Sequence, residues 1–314
     1  MSERAEQLEA LRHQLGPLAR RSEPLAPLCT YRVGGAAGLY VPLASTADLE
    51  AVSRALAGAG SVPLLVVGNG SNLLVADAGF DGLVVRLGDG FDGIDIDRDA
   101  GRVTAGGGVL LPVAARRTAA ESLTGFEWAV GVPGAIGGAV RMNAGGHGSD
   151  LAAVIITATV FDLRRGELVE WSATDLELGY RRSAIGDHHV VVSAELQLET
   201  GERSSSEAEI SEIVRWRRAN QPGGQNAGSV FTNPQGDSAG RLIDAAGLKG
   251  FRVGSAEVST KHANFIQADP GGSADDVYRL IGAVRRRVHD ACGIELRCEN
   301  RLVGFTGACE VDTG

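Results

Sequence analysis

The stretch Gly125–Gly148, GFEWAVGVPGAIGGAVRMNAGGHG, holds eight glycines in 24 residues, a density that no regular helix or strand sustains throughout. The whole chain carries 44 glycines in 314 residues, about twice the usual share of roughly 7% and without a collagen period or a low-complexity tract. Glycine therefore performs local backbone tasks here. Pro133 and Gly134 predict a turn, and Gly137 and Gly138 beside the small Ala139 let backbone approach something large and flat. Met142 adds a soft apolar contact and Asn143 an amide that both donates and accepts. A second glycine-rich stretch, GNGSN at Gly68–Asn72, lacks the G-x-G-x-x-G spacing and leads into apolar Leu-Leu-Val rather than a helix, which makes it a poor Rossmann fingerprint. It suits an ordinary turn or a nest of outward-facing N–H groups that binds phosphate. With YRVGG, the two stretches together suit a dinucleotide cofactor that has a pyrophosphate and a planar ring.

The length predicts two or three packed units. A formal charge of -9 argues against a nucleic-acid partner, and no apolar run approaches the ~20 residues needed to span a bilayer. The N-terminal MSERAEQLEALRHQLG has no apolar segment with a cleavage site, so a cytoplasmic location is expected. Cys29, Cys292, Cys298 and Cys309 show no CxxC spacing and read as reduced thiols, with no metal site implied.

Periodicity predicts a helix over the first 20 residues through Leu8, Leu11 and Leu15, and two short strands around a tight turn in TYRVGGAAGLYVPL. A capped helix follows at Ser45 with Leu49, Val52 and Leu56 on one face, then a buried strand, a turn and a second apolar piece in VPLLVVGNGSNLLV. Pro112 to Leu123 reads as a helix, and AVIITATVFDL and HHVVVSAELQLE as strands, with Arg181 and Arg182 between them also read as strand residues. Ser206 and Glu209 predict a capping box that opens a helix. Farther on come a short helix near Ala239, strands in FRVGSAEVS and NFIQ, a long helix from about Ala274 to Ala291, and a closing strand in IELRCENRLVGF. On the long helix Val277, Leu280, Ile281, Val284 and Val288 form the apolar face, and Arg285, Arg286 and Arg287 a solvated flank.

The segments TYRVGGAA, VVGNGSNLLV, GVPGAIGGAVRMNAGG, GYRRS, NAGSVFTNP, AGRLIDAAGLKGFRVGSAEVSTKHANFI and ELRCENRLVGF occur in the order seen in the UDP-N-acetylenolpyruvoylglucosamine reductase family, which the chain resembles over nearly its whole length after residue 25. The short connection between YRRS and NAGSVF resembles the subgroup that lacks the inserted tyrosine loop. The resemblance implies an α+β fold: an N-terminal helix at 1–26, an FAD-binding region of the p-cresol methylhydroxylase type at 27–200, and a C-terminal α+β substrate domain at 201–314. The FAD-binding region divides into two α+β subdomains at about 27–87 and 88–200.

By the same resemblance the activity is NADPH-dependent reduction, through FAD, of an enolpyruvyl ether of a UDP-sugar to UDP-N-acetylmuramate in peptidoglycan precursor synthesis. Such a reduction needs a hydride at one carbon, a proton at its neighbour and a stabiliser for the enolate between them. The resemblance makes Arg181 the stabilising cation, Glu299 its assistant, Ser229 the proton donor, and N5 of the reduced flavin the hydride source. It assigns FAD contacts to Tyr31, Arg32, Gly34, Gly35, Gly68, Asn69, Gly70, Ser71, Asn72, Pro133, Gly134, Gly137, Gly138, Asn143 and Gly145, and a substrate contact to Asn233. It implies a monomer with a UDP-sugar and NADPH as partners, and neither nucleic acid nor membrane. Read without the resemblance, Ser229 is a turn or strand serine and Glu299 a strand-edge carboxylate beside Arg297 or Arg301.

Three positions depart from the family pattern. Asn220 and Thr232 stand where lysine is common, and His147 replaces a tyrosine. Arg217, Arg218, Arg241, Lys249 and Lys261 are candidates to restore the lost positive charge near the diphosphate, and His147 reads as a surface or pocket-rim residue. Two other readings remain open: an FAD-linked oxidase or dehydrogenase of the same fold acting on a hydroxy acid or sugar, and a non-catalytic FAD or UDP-sugar binding protein. The first predicts a covalent flavin anchor, and the glycine stretches contain no H-x-H or cysteine.

Overall fold

The computed structural model describes residues 2–305, so Cys309 lies outside the described residues. The chain divides into two compact units. The first comprises Met1–Arg21, Gly38–Asn69 and Gly82–Arg217, the second Ser22–Ala37, Gly70–Asp81 and Arg218–Gly314.

In the first unit the opening helix, Glu3–Leu15, buries Leu8, Leu11 and Leu15 as its periodicity requires. They join Leu39, Leu49, Val52 and Leu83 in one apolar cluster. The helix Thr46–Ala57 begins with the expected reciprocal cap between Ser45 and Asp48. Leu64–Val67 pairs in parallel with Phe80–Leu87. A five-stranded antiparallel sheet follows, in the order Glu167–Ser172, Ile155–Asp162, His189–Gln197, Arg102–Gly106, Ile94–Asp97. Its second core gathers Val103, Phe126, Ile136, Val140, Ala158 and Ala194. The helix Ile136–Met142 lies against His189–Gln197. A Cβ at Gly137 would stand 3.2 Å from the Gly107 carbonyl oxygen, so glycine there permits the close approach of helix and sheet.

In the second unit Leu73–Val75 pairs in parallel with Arg301–Val303. A three-stranded antiparallel sheet, Arg252–Val253, Ala256–Val258 and Ile266–Ala268, packs against the long helix Ala274–Cys292. All five predicted apolar positions of that helix are fully buried. Its start is doubly satisfied: Ser273 Oγ accepts from the Asp276 N–H at 3.2 Å, and Asp77 Oδ1 accepts from the Ala274 N–H at 2.9 Å. Gly293, at φ 71°, ends it in the left-handed region. The arginine flank is less solvated than the pattern predicts. Arg285 reaches Glu295 at 3.1 Å and Arg287 stacks 3.7 Å over the Phe251 ring.

Several elements depart from the sequence reading. In TYRVGGAAGLYVPL only Ala37–Leu43 is a strand. Ser206 does not cap a helix, because the helix Arg203–Asn220 already encloses it and its buried hydroxyl donates to Glu127 Oε1. Burial works to raise the Glu127 carboxyl, and the hydrogen bonds from Ser206, Thr124 and the Gly125 N–H outweigh it and hold the group below its usual range. The exposed strand Glu167–Ser172 is a sheet edge that the hydropathy pattern does not reveal. The last strand shrinks to Arg301–Val303 plus an isolated bridge between Phe231 and Cys298.

The division of the chain also differs from the expected boundaries. Residues 22–37 and 70–81 belong with the C-terminal unit, because the Gly35 N–H donates to Ala76 O and the Ala76 N–H to Val303 O, each at 2.9 Å. Such pairing joins segments far apart in sequence, which periodicity cannot register. Replacing Leu280 by alanine removes a fully buried side chain from the long helix and is expected to cost about 2–5 kcal/mol. Urea unfolding measures it, and a loss below about 1 kcal/mol would mean this face is not core.

Candidate functional site

The first unit contains a cleft that opens to solvent. Its walls include Gly68, Asn69, Gly137 and Gly138 from the two glycine stretches, with Arg86, Arg141 and His189 beside apolar Leu87, Leu110 and Ile185. Two backbone devices shape it. Asn69 Nδ2 donates to Pro133 O, and the Leu111 N–H donates to Gly134 O at 2.9 Å, so Pro133 and Gly134 serve as anchors for the loop. A Cβ at Gly138 would meet nothing within 4 Å, and one at Gly68 only the Ala135 Cβ at 3.8 Å. These bare faces are not needed for packing, and they leave room for a ligand to approach backbone. Mostly apolar walls with a few polar groups and two arginines fit FAD, whose rings want the former and whose phosphates want the latter. The sequence reading missed Arg86, Arg141, Ile185 and His189. Arg141 alone carried a signal, since it lies one helical turn after Gly137.

Arg181 sits in a tight turn, which corrects the reading of it and Arg182 as strand residues. Gly179 and Arg182 form an isolated bridge, Tyr180 is 58% exposed, and Arg181 is left-handed at φ 56°, a conformation that costs a non-glycine residue free energy and requires support. The glycine-rich loop provides it. Arg181 Nη2 donates to Gly145 O at 3.1 Å, and Ser183 Oγ donates to Arg141 O at 2.7 Å.

Asn143, expected at the flavin ring, is only 2% exposed and spends its amide inside the protein. Its Nδ2 donates to Gly179 O at 3.1 Å and Asp150 Oδ2 at 3.2 Å, and its Oδ1 accepts from the Ala152 N–H at 2.9 Å. Asn143 thus fastens the Arg181 turn to the loop. Gly145 is structural in the same sense, because a Cβ there would fall 2.5 Å from Ser149 O.

In the second unit the segment after Gly228 runs antiparallel to the segment ending at Asn300. The Glu299 N–H donates to Val230 O at 2.7 Å, and the Thr232 N–H to Arg297 O at 3.0 Å. This pairing puts Ser229 and Glu299 on adjacent positions of two facing backbones, and both are half-buried. Asn264, in KHANFI, anchors the first backbone: its Nδ2 donates to Phe231 O at 2.8 Å and its Oδ1 accepts from the Phe231 N–H at 3.0 Å.

The remaining expected cofactor residues of this unit divide by environment. Tyr31 is wholly buried, its hydroxyl 3.4 Å from Asn300 Oδ1. Burial pushes its phenol far above the usual range, so it stays protonated. Arg32 is exposed and donates to Pro27 O. Gly34, Gly35 and Gly70 serve backbone packing, since a Cβ at each would lie 2.0–2.4 Å from a carbonyl oxygen. Ser71 is half-buried, and Asn72 Nδ2 donates to Glu299 O at 3.0 Å. Asn233 is exposed, and its Oδ1 accepts from the Ala239 N–H at 3.1 Å, at the start of a short helix.

Of the cations expected to compensate for Asn220 and Thr232, Arg241 pairs with Asp237 and Lys249 with Asp244, which cancels much of their pull on a diphosphate. Lys261 Nζ donates to Arg218 O. Arg217 lies in the first unit, where burial lowers its pKa. His147 packs edge-on against Trp216 at 5.1 Å, and burial, then Arg217, lowers its pKa. His147 is exposed at the surface.

Asp162, His188 and His189 cluster closely enough to suggest a metal site, but their hydrogen bonds argue otherwise. The Gly186 N–H donates to His189 Nδ1 at 2.9 Å, which leaves the proton of the neutral ring on Nε2, facing Asp162 3.8 Å away. That nitrogen has no lone pair to offer a metal.

Comparison with known proteins adds to this geometry. The family model for the UDP-N-acetylenolpyruvoylglucosamine reductase C-terminal domain matches residues 220–303, and an FAD binding domain model matches residues 37–172. The chain is 43% identical to the UDP-N-acetylenolpyruvoylglucosamine reductase of Heliobacterium modesticaldum, over 94% of this chain and 93% of that protein. It is 41% identical to that of Rubrobacter xylanophilus, over 93% and 97%. The crystal structure of the Thermus caldophilus reductase superposes with a TM-score of 0.77 at 34% identity, covering 89% of this chain and 97% of that one. The α+β class, with an FAD-binding region ahead of a C-terminal domain, is as the sequence led one to expect.

The two kinds of glycine give opposite expectations. Gly138→Ala keeps or slightly raises thermal stability, as alanine does in a helix, and weakens FAD retention measured by flavin release on dilution. Gly70→Ala, at φ 61° with a carbonyl 2.0 Å from the new Cβ, loses about 2 kcal/mol of stability or more. Equal effects in the two variants would undo the distinction.

Proposed function

The chain belongs to the UDP-N-acetylenolpyruvoylglucosamine reductase family, and from that premise we propose that it reduces the enolpyruvyl ether of UDP-N-acetylglucosamine to UDP-N-acetylmuramate in peptidoglycan precursor synthesis, using FAD and NADPH. Reduction adds a hydride to the methylene carbon and a proton to the carbon beside it, through an enolate whose carboxylate carries extra negative charge. FAD held in the cleft by Gly68, Asn69, Gly137 and Gly138 would supply the hydride chemistry, with NADPH as its reductant. The remaining tasks fall to side chains.

The observation that supports this reading is the backbone pairing in which Glu299 faces Val230, the residue after Ser229, although the two segments are far apart in the chain. Ser229 Oγ–H gives its proton to the enolate carbon. A serine hydroxyl is a weak acid at neutral pH, so the transfer relies on a strongly basic carbanion and on the polar Glu299 next to it. Arg181, held on its turn by Gly145 and Asn143 through hydrogen bonds of fixed geometry, answers the charge of the enolate carboxylate, and a preorganised cation needs no reorganisation when that charge appears. Gly68, Asn69, Gly137 and Gly138 would hold FAD with Arg86 and Arg141 near its anionic part. Asn233 would use its remaining amide hydrogens on the substrate. We place the reaction in the cytoplasm and in a monomer, without nucleic acid or membrane. That accords with the charge of -9, and no helix among the described residues is long and apolar enough to cross a membrane.

Purified protein is expected to be yellow and to bleach anaerobically with NADPH. Colourless protein that FAD cannot reconstitute would sink the flavoenzyme reading. Ser229→Ala is expected to bleach normally and then fail to regain colour when the enolpyruvyl sugar nucleotide is added, whereas recovery at the wild-type rate would remove Ser229 as proton donor. Glu299→Gln is expected to slow the same recovery by about 10²-fold or more, and a loss of only severalfold would return Glu299 to the role of a strand-edge carboxylate.

A further inference from the structure

We propose that Asn300 is a positioning residue that sets Ser229 and Glu299 relative to each other. The inference rests on the roles just given to those two residues, and it assigns to Asn300 the hydrogen bonds that a continuous strand would otherwise make. The ladder beside Phe231 and Cys298 is a single bridge. It ends at Val230, whose N–H donates to Asn264 O at 2.9 Å and not to the facing Glu299 carbonyl. The carbonyls of Ala227 and Ser229 instead accept from the Asn300 side chain. Its two Nδ2 hydrogens are shared among Asn72 Oδ1 at 2.9 Å, Ala227 O at 3.0 Å and Ser229 O at 3.3 Å. Asn72 completes the link, its own Nδ2 donating to Glu299 O at 3.0 Å. The two amides thus tie the Ser229 backbone to the Glu299 backbone through a chain of hydrogen bonds.

The surroundings give this arrangement its force. Asn300 is 2% exposed, and the buried Tyr31 hydroxyl occupies its Oδ1, so the amide cannot flip without losing partners on both ends. Leu74, Val230, Phe231 and Leu296, each at most 1% exposed, belong to the apolar core of the same unit. Buried hydrogen bonds of this kind are strong, and their loss leaves carbonyls unsatisfied. A segment free of regular pairing yet held by a side chain can present the Ser229 hydroxyl without committing its backbone to a sheet. Displacing a reacting group by about 1 Å costs on the order of 10²-fold in rate.

The test uses the full-length flavoenzyme with Asn300→Ala, Asn300→Ser, Ser229→Ala and the Ser229→Ala/Asn300→Ala double variant. Stopped-flow absorbance separates flavin bleaching by NADPH from colour recovery with the enolpyruvyl sugar nucleotide, and thermal unfolding is followed in parallel. Asn300→Ala is expected to slow recovery about 10²-fold and to leave bleaching within about twofold, a split that lost stability alone does not produce. Asn300→Ser retains one donor and should fall between alanine and wild type, and it replaces the alanine variant if that one fails to fold. The double variant should lose at least about tenfold less than the product of the single losses, because Asn300 acts through Ser229. Recovery at the wild-type rate in Asn300→Ala, equal slowing of both half-reactions, or multiplied losses in the double variant would each overturn the proposal. Slow recovery in Ser229→Ala with normal recovery in both Asn300 variants overturns only the role of Asn300. Normal recovery in Ser229→Ala overturns the proton-donor assignment and this proposal with it.

Discussion

The parallel pairing of Leu73–Val75 with Arg301–Val303 is the constraint on which the second unit depends. It takes a strand from the N-terminal third of the chain and makes it the template for the C-terminal end. The register also places Asn72 beside Asn300, since the Arg301 N–H donates to Asn72 O at 2.9 Å. From that ladder follow the fixed backbones of Ser229 and Glu299 and the burial of Tyr31. Parallel pairing of distant segments carries a loop-closure cost that only the rest of the core repays. The fully buried face of the helix Ala274–Cys292 is what offsets it.

Glycine does two different jobs in this protein, and the difference is physical rather than statistical. Gly34, Gly35, Gly70 and Gly145 lie where another backbone comes within a distance no Cβ allows. Gly138 faces open space in the cleft. Both kinds occur in the same motifs, so a motif taken whole does not tell which glycine is bare and which is packed. The asparagines show a parallel division. Asn69, Asn72, Asn143, Asn264 and Asn300 direct their amides at backbone carbonyls of loops, and they do for irregular segments what ladder hydrogen bonds do for strands.

Much of the fold was legible because its signals are local. The capping box at Ser45 and Asp48, the heptad-like face from Val277 to Val288 and the leucines of the first helix are read from spacings of three and four, and the structure buries them accordingly. The failures were also local readings, applied where tertiary contacts win. Ser206 has the spacing of a helix cap, but its hydroxyl donates to Glu127, at the start of a short 3-10 helix far away in the chain. Arg181 looked like a strand residue, but the loop around Asn143 forces its segment into a turn.

The sequence by itself determined the family, the order of its motifs and the identities of the residues proposed for the chemistry, because these depend on residue type and order alone. Only the tertiary structure decided which of those residues have a side chain left for a ligand. Asn143, Tyr31 and Gly70 belong to the right motifs, yet their polar groups or backbone are consumed by the protein's own interior. A hydrogen bond or a close backbone approach is a relation between two places in the chain, and in this protein those places are often more than a hundred residues apart.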